Sequence, residues 1–266
     1  MDGRFGGVAM ALGAGGVYGY AHIGVLSVLE EEGLRPDFVV GCSIGAVIGA
    51  IYGAGLSGPQ LLQLGLGLRR SHMLDIRPTR MGLVGGQRLE GVVRLLTRDV
   101  RLEDMSPPMA IVATDVERGE KVVFTRGQAA RAARASSAMP GIFAPVRIGD
   151  RLLVDGAVME RVPVGTAREL GAERVVAVSL GMVGPGQAVQ VRNAFDVIMQ
   201  SFDIMQREIS HGQSGADVVI EPPVTEANAS AAGGASRLIE AGRAAAREKL
   251  AELRVLLGRK EMVGRE

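Results

Sequence analysis

Gly41-Cys42-Ser43-Ile44-Gly45 is the stretch of this chain whose residue types and spacing could do chemistry directly. An apolar run, Phe38–Val40, leads into it, and a small-residue helical pattern, Ala46–Ala54, leads out. In a strand, Gly-x-Ser-x-Gly, helix context the serine sits on a sharp turn above the end of a sheet, with its hydroxyl presented as a nucleophile. Gly41 and Gly45 then have a steric task, because strand and helix backbones approach closely at such a turn. Cys42 is the only cysteine, so no intrachain disulfide can form. Its place one residue before the serine reads as a small packed side chain rather than a second nucleophile. In a chain with 38 glycines the five-residue pattern is not decisive alone, and its partners have to be found.

A serine nucleophile needs a base. The chain has three histidines, His22, His72 and His211. The chain order Ser, Asp, His would be met by Ser43, Asp155 and His211. The alternative is an aspartate that contacts the serine directly. Asp155-Gly156-Ala157 is the strongest candidate, since it follows the short apolar run Leu152–Val154 and the small residues behind it permit close approach. A free aspartate, with a pKa of about 3.9, is a feeble base, so a low-dielectric setting would have to raise it. The second stretch with chemical potential is the glycine loop Gly13-Ala14-Gly15-Gly16-Val17-Tyr18-Gly19. Backbone N–H groups at a strand-to-helix turn can hold an oxyanion or a phosphate. A dinucleotide-binding reading, with Asp37 as its acid, requires Gly-x-Gly-x-x-Gly; counted from Gly13 the last position is Tyr18, and counted from the next residue the first is Ala14. Neither register fits.

The elements that must position these groups follow from hydrophobic period and breakers. Val8–Leu12 predicts a buried strand, Ala21–Glu32 a helix capped by Gly33, and Asp37–Val40 the strand that feeds the serine turn. The first 55 residues therefore read as a parallel α/β unit. Residues 55–105 read as a loop-rich helical insertion, with a loose helix around Leu61–Leu68, turns at Arg77–Arg80 and Gly82–Gly86, and a firmer helix at Gln87–Leu96. Beyond it come strands at Met109–Thr114 and Lys121–Thr125, a helix at Gln128–Ala135, a short strand into Asp155, a helix at Pro163–Leu170 and a buried strand at Arg174–Leu180. A long amphipathic helix is expected over Val191–Ile209, with Phe195, Ile198, Met199, Phe202, Met205 and Ile209 facing the core. A last strand at Asp217–Ile220 and a closing helix at Ser236–Leu257 complete one domain over 1–266, its core roughly 8–223.

Composition narrows the classes of function. At 266 residues, 47% hydrophobic and 22% charged, the chain can bury a large core and is far from disordered. Net charge is +1, with three lysines and 27 arginines scattered among acids, so no basic face for nucleic acid is expected. No apolar run approaches the roughly 18 residues of a membrane span, and the first residues lack a signal-peptide pattern, so a cytoplasmic protein is the expectation.

Taken together, Leu12–Leu26 with its glycine loop, Gly41–Ala46 and Asp155-Gly-Ala157 resemble the bacterial patatin-like phospholipase family. The likeness continues through Val112-Ala-Thr-Asp115, Arg134–Phe143 and Asp217–Pro222, and so covers nearly the whole chain. The resemblance implies a three-layer α/β/α fold with a mainly parallel sheet. It also implies a serine acyl-ester hydrolase working on lipid or other acyl esters through a Ser43–Asp155 dyad and an acyl-enzyme, with no histidine, metal or cofactor. It assigns Gly15 and Gly16 as oxyanion donors and treats His22 as structural. Substrate contact with a membrane surface would be transient. Two departures stand out: Tyr18 where the family's loop commonly has arginine, and Ile44 where a small residue is frequent, which would narrow the acyl pocket. A non-catalytic acyl- or lipid-binding regulator on the same fold is the alternative.

Overall fold

The computed structural model describes residues 5–67, 73, 75–79, 81–181, 191, 197, 200–202, 204, 205, 215–224 and 233–258. The first unit runs β1 (Val8–Leu12), a 3-10 turn over Gly16–Gly19, α1 (Tyr20–Glu31), β2 (Phe38–Cys42) and α2 (Ile44–Gly53). The insertion holds α3 (Gly58–Gly67), β3 (Ile76–Thr79), β4 (Gly82–Val84) and α4 (Gln87–Leu96). Next come β5 (Met109–Asp115), β6 (Glu120–Phe124), α5 (Ala129–Ser136), β7 (Gly141–Phe143), β8 (Val146–Ile148) and β9 (Arg151–Asp155). The chain continues through α6 (Val164–Glu169), β10 (Arg174–Val178), β11 (Val218–Ile220), α7 (Gly234–Glu248) and α8 (Leu250–Leu257).

The main sheet has the order β11-β10-β1-β2-β5-β9-β8, with β6 also paired to β5. Its five strands from β11 to β5 are parallel. Parallel strands are covered on both faces, which is why they read as continuous apolar runs rather than alternating ones. Successive residues still go to opposite faces, each face into its own apolar layer. Met10, Leu12, Val39, Met109, Ile111, Val176 and Val178 pack into the layer that holds α1, α2 and α7. Ala9, Ala11, Phe38, Val40, Ala110, Val112, Val175 and Ala177 face the layer that holds α6. The result is three layers, helix, sheet, helix.

Two details of this architecture bear on the site. The edge of β5 is shared. Its first residues pair with β2 in parallel, ending at Cys42 opposite Val112, and its last residues pair with β9 antiparallel, beginning with Asp155 opposite Ala113. Strand β6 occupies the other edge. So β2 and β9 meet end to end along one neighbour, and their terminal residues fall on consecutive β5 positions. The second detail is the seam between α1 and α7. A Cβ at Gly24 would overlap the Ile239 carbonyl, and one at Gly242 would overlap that of Ala21. Arg243 then donates to Ser27 Oγ and to Glu31, both at 2.8 Å.

Several expectations are corrected. Arg77–Arg80 and Gly82–Gly86 are not simple turns: Ile76–Thr79 and Gly82–Val84 pair antiparallel, and β7 adds to them in a second, three-stranded sheet. The closing helix is two, broken at Lys249. Helix α1 begins at Tyr20 and α2 at Ile44, each earlier than the apolar period suggested. Most of Val191–Ile209 lies outside the described residues; its described Phe202 packs against Ala14, Cys42 and Ala157, whereas Met205, expected on the same inward face, is 60% exposed.

Candidate active site

The serine turn is built by sterics. A Cβ on Gly41 would stand 2.6 Å from the Ala46 Cα, and one on Gly45 would overlap the carbonyl of Leu12. Both glycines are therefore required for the strand and helix to close on each other and on the glycine loop. Between them Ser43 adopts φ 53° and ψ −121°. A non-glycine residue at positive φ costs on the order of 1–3 kcal/mol and needs external support. That support is Ser136 at the end of α5: the Ser43 N–H donates to Ser136 Oγ at 2.8 Å, and the Ser136 hydroxyl donates to the Val112 carbonyl at 2.6 Å. Both hydrogen bonds are buried.

Because β2 and β9 abut, Ser43 and Asp155 meet across the shared edge of β5. Ser43 Oγ donates to Asp155 Oδ2 at 2.7 Å. The other oxygen, Oδ1, accepts the Ala157 N–H at 2.9 Å, which fixes the carboxylate plane. Thr114 Oγ1 donates to the Asp155 carbonyl at 3.0 Å. Asp155 is 1% exposed, and burial pushes its pKa from 3.8 up to about 6. The Ser43 and Ala157 hydrogen bonds and the Arg161 charge oppose that rise. The carboxyl is thus a stronger base than a free aspartate, yet still mostly ionised at neutral pH.

Cys42 is fully buried, its Sγ 4.0 Å from Asp155 Oδ1. Burial first, and then the Asp155 charge, raise its thiol well above the ordinary value, so it stays protonated and unreactive. His22 is likewise fully buried, and its Nε2–H donates to the Gly13 carbonyl at 2.8 Å. Desolvation lowers its pKa to about 4, so it is a neutral strut beneath the glycine loop. His72 and His211 lie outside the described residues.

The glycine loop is anchored at its base. Gly13 N–H donates to the Val178 carbonyl at 3.0 Å and Ala14 N–H to that of Arg161 at 2.9 Å. Gly16 then turns at φ 54°. Among the described residues the N–H groups of Gly15 and Gly16 find no acceptor. The Ile44 side chain fills the space over Gly19, where a Cβ would overlap its Cγ1. It leans on the loop and the core while staying partly exposed. The described residues hold no group of three or more His, Cys, Asp or Glu side chains placed to bind a metal ion. Sequence reasoning missed the roles of Ser136 and Arg161. Ser136 stands within the Arg134–Phe143 stretch already singled out, but its task becomes visible only once α5 is docked on the sheet.

Fold and site together define a class: a three-layer α/β protein with a strained serine at the end of a parallel strand and a buried carboxylate as its direct partner. The patatin-like phospholipase family model matches residues 10–168, and the chain belongs to that family. An uncharacterised NTE-family protein of Mycobacterium tuberculosis is 35% identical over 184 residues, which cover 68% of this chain and 51% of that protein. Human patatin-like phospholipase domain-containing protein 6 is 32% identical over 182 residues, 65% of this chain and 13% of that one. The chain thus spans about half the length of the mycobacterial relative and far less of the human one. Among solved structures, VipD from Legionella pneumophila superposes with a TM-score of 0.64 at 12% identity, over 94% of this chain and 67% of VipD, a likeness of fold. No helix among the described residues is long and apolar enough to cross a membrane.

Proposed function

We propose that the chain is a serine hydrolase of lipid acyl esters, in which Ser43 is acylated and Asp155 is the base. The observation that carries the reading is the 2.7 Å hydrogen bond from Ser43 Oγ to a carboxylate that is buried and made more basic by its setting. Asp155 Oδ2 takes the hydroxyl proton as Oγ adds to the ester carbonyl. The oxyanion that forms is met by the N–H groups of Gly15 and Gly16, which are otherwise unused among the described residues, and by the positive end of α2, whose first N–H groups point at the turn. Collapse returns the proton from Asp155 to the departing alcohol and leaves the acyl group on Ser43. Water then enters and gives a proton to Asp155 as its oxygen adds to the acyl carbon; collapse breaks the bond to Ser43 Oγ, which takes that proton back from Asp155 as the acid leaves. No histidine or metal takes part. Membership of a phospholipase family, and the phospholipase named in the human relative, support lipid esters as the substrate class. The same chemistry extends to soluble esters, and contact with a lipid surface belongs to the same reading.

A fluorophosphonate probe tests it. The native protein is expected to be labelled, Ser43→Ala is expected not to be, and Asp155→Asn should slow both labelling and p-nitrophenyl ester hydrolysis by on the order of 10²–10⁴. A native protein that takes up no probe and yet binds phospholipid vesicles or fatty acid would point instead to a non-catalytic lipid-binding regulator.

A further inference from the structure

Every residue of α2 from Gly45 to Gly53 is buried, and so is Ser43 before it. Ile44, the first residue of the helix and the one bonded to the nucleophile, is the exception. Its side chain stays partly exposed and packs on the edge of the main core, as Tyr18 and Tyr20 do. It already fills the space over Gly19: a Cβ there would overlap its Cγ1 and stand 3.1 Å from its Cβ and Cγ2. A β-branched residue in a helix also has one strongly preferred χ1 rotamer. Ile44 is therefore a fixed apolar wall between the nucleophile and the end of the glycine loop.

The chain on both sides of this wall is uncharged. No Lys, Arg, Asp or Glu occurs from Phe5 to Leu29, the stretch that supplies the glycine loop, or from Phe38 to Leu68, the stretch that supplies Ser43. The loop shows Val17 and Tyr18 partly to solvent. Of the two halves of a lipid ester, only the acyl half is hydrocarbon throughout; the alcohol half carries glycerol and head-group oxygens. Neither stretch offers a phosphate a cation, whereas each methylene laid on apolar surface gains about fourfold in binding. The proton route agrees. The departing alcohol takes its proton from Asp155 Oδ2, so the alcohol lies on the Asp155 side of Ser43 Oγ. The acyl chain is left the side of Ile44 and Gly19.

We propose that Ile44 is the specificity-determining wall of an acyl-chain site running from Ser43 past the Gly19 end of the glycine loop, and that it restricts the ester to a short acyl chain. The proposal rests on the Ser43–Asp155 reading given above. It adds which half of the ester lies on which side of the serine, and what sets the length of one half.

The first measurement keeps the alcohol constant and varies the chain: kcat/KM on p-nitrophenyl butyrate and p-nitrophenyl octanoate. The native protein should favour butyrate. In Ile44→Ala the octanoate-to-butyrate ratio should rise roughly 10–100-fold, with Ile44→Val in between. A ratio taken within one variant cancels any general loss of competent enzyme, so a merely structural role leaves it unmoved. The second measurement keeps the chain and varies the alcohol. The ratio of ethyl butyrate to p-nitrophenyl butyrate should be the same in Ile44→Ala as in the native protein. An unmoved chain-length ratio in Ile44→Ala, or a shift in the alcohol ratio instead, overturns the proposal. If Ile44→Ala does not fold, Ile44→Val decides alone, and an unmoved chain-length ratio there overturns it. A native protein inert on every ester would sink the hydrolase reading, and calorimetric binding of octanoate and butyrate would still test the wall. Ile44→Ala should then tighten octanoate relative to butyrate; an equal ratio in both proteins, or no binding of either acid, overturns the proposal.

Discussion

Asp155 is held where a carboxylate is least comfortable as an anion, and that discomfort makes it a usable base. Its folded pKa of about 6 lies above its ordinary 3.8. Under the proposed dyad the base must be ionised, so activity should fall as pH drops through about 6, a single acidic limb read from kcat/KM. The same shift has a consequence for stability. A carboxyl with a raised folded pKa binds its proton more tightly in the native state. The stability it contributes is therefore fully present below about pH 4 and is lost as pH rises through about 6. Asp155→Asn, permanently neutral, with its one carbonyl oxygen accepting from Ala157 and its amide donating to Ser43 Oγ, should thus be the more stable protein at about pH 8. The gain is on the order of 2 kcal/mol, at most about 3 from the two-unit shift, and thermal melting should show it closing below about pH 4. At this scale the sequence was readable for Ser43 and Asp155, because motif and steric need coincide in a few adjacent residues. It was silent on Ser136 and Arg161. Ser136 reaches its partner across 93 positions of chain, a relation that no local pattern encodes.

At the scale of elements, β5 acts as the ruler of the site, since among the described strands it alone pairs with both the strand that ends beside Ser43 and the strand that ends at Asp155. The strands that matter most, β1, β2, β5, β9 and β10, were visible as apolar runs because both of their faces are buried. The strands that were not foreseen, β3, β4, β7 and β8, have three or four residues each, and Gly or Pro interrupts most of them. Strands β3, β4 and β7 hold their form by pairing with one another, and β8 by pairing with β9, rather than by local preference. Helix α5 connects the ruler to the serine through Ser136. Ser136→Ala removes the acceptor of the Ser43 N–H and leaves that buried donor unpaired beside a strained residue, a loss of about 1–3 kcal/mol. Fluorophosphonate labelling should slow by roughly 10–100-fold as the turn relaxes, with Ser136→Thr retaining much of the native rate. Equal labelling rates in the Ala variant and the native protein would show that the turn holds Ser43 without α5.

For the whole molecule the question is whether the C-terminal helices belong to the core or only lean on it. The family model ends at residue 168, and the two strands and two helices that follow lie beyond it. The seam argues for the core. Ala21, Gly24, Ser27 and Glu31 recur along α1 at helical spacing, and each meets α7 directly, the first two through backbone contact and the last two through Arg243. Helix α1 is also the helix that carries His22 beneath the glycine loop. Leu238, Ile239, Leu253 and Leu257 are buried by the two C-terminal helices. At about 1.5–3 kcal/mol for each such side chain their burial contributes about 6–12 kcal/mol, from which the entropy of ordering the helices must be subtracted. Even half of that, about 3–6 kcal/mol, is a large fraction of the stability of an ordinary domain, about 5–15 kcal/mol. A chain ending at residue 224 should therefore lose cooperative melting and bind a hydrophobic dye, and it should lose probe labelling of Ser43 with the fold. Gly242→Val, which forces α7 off α1 without removing any apolar surface, should lower the melting temperature in the same direction. If the shortened chain instead melts cooperatively within a few degrees of the native one, α7 and α8 are an appendage, and the glycine loop is held from β10 and the Arg161 turn alone.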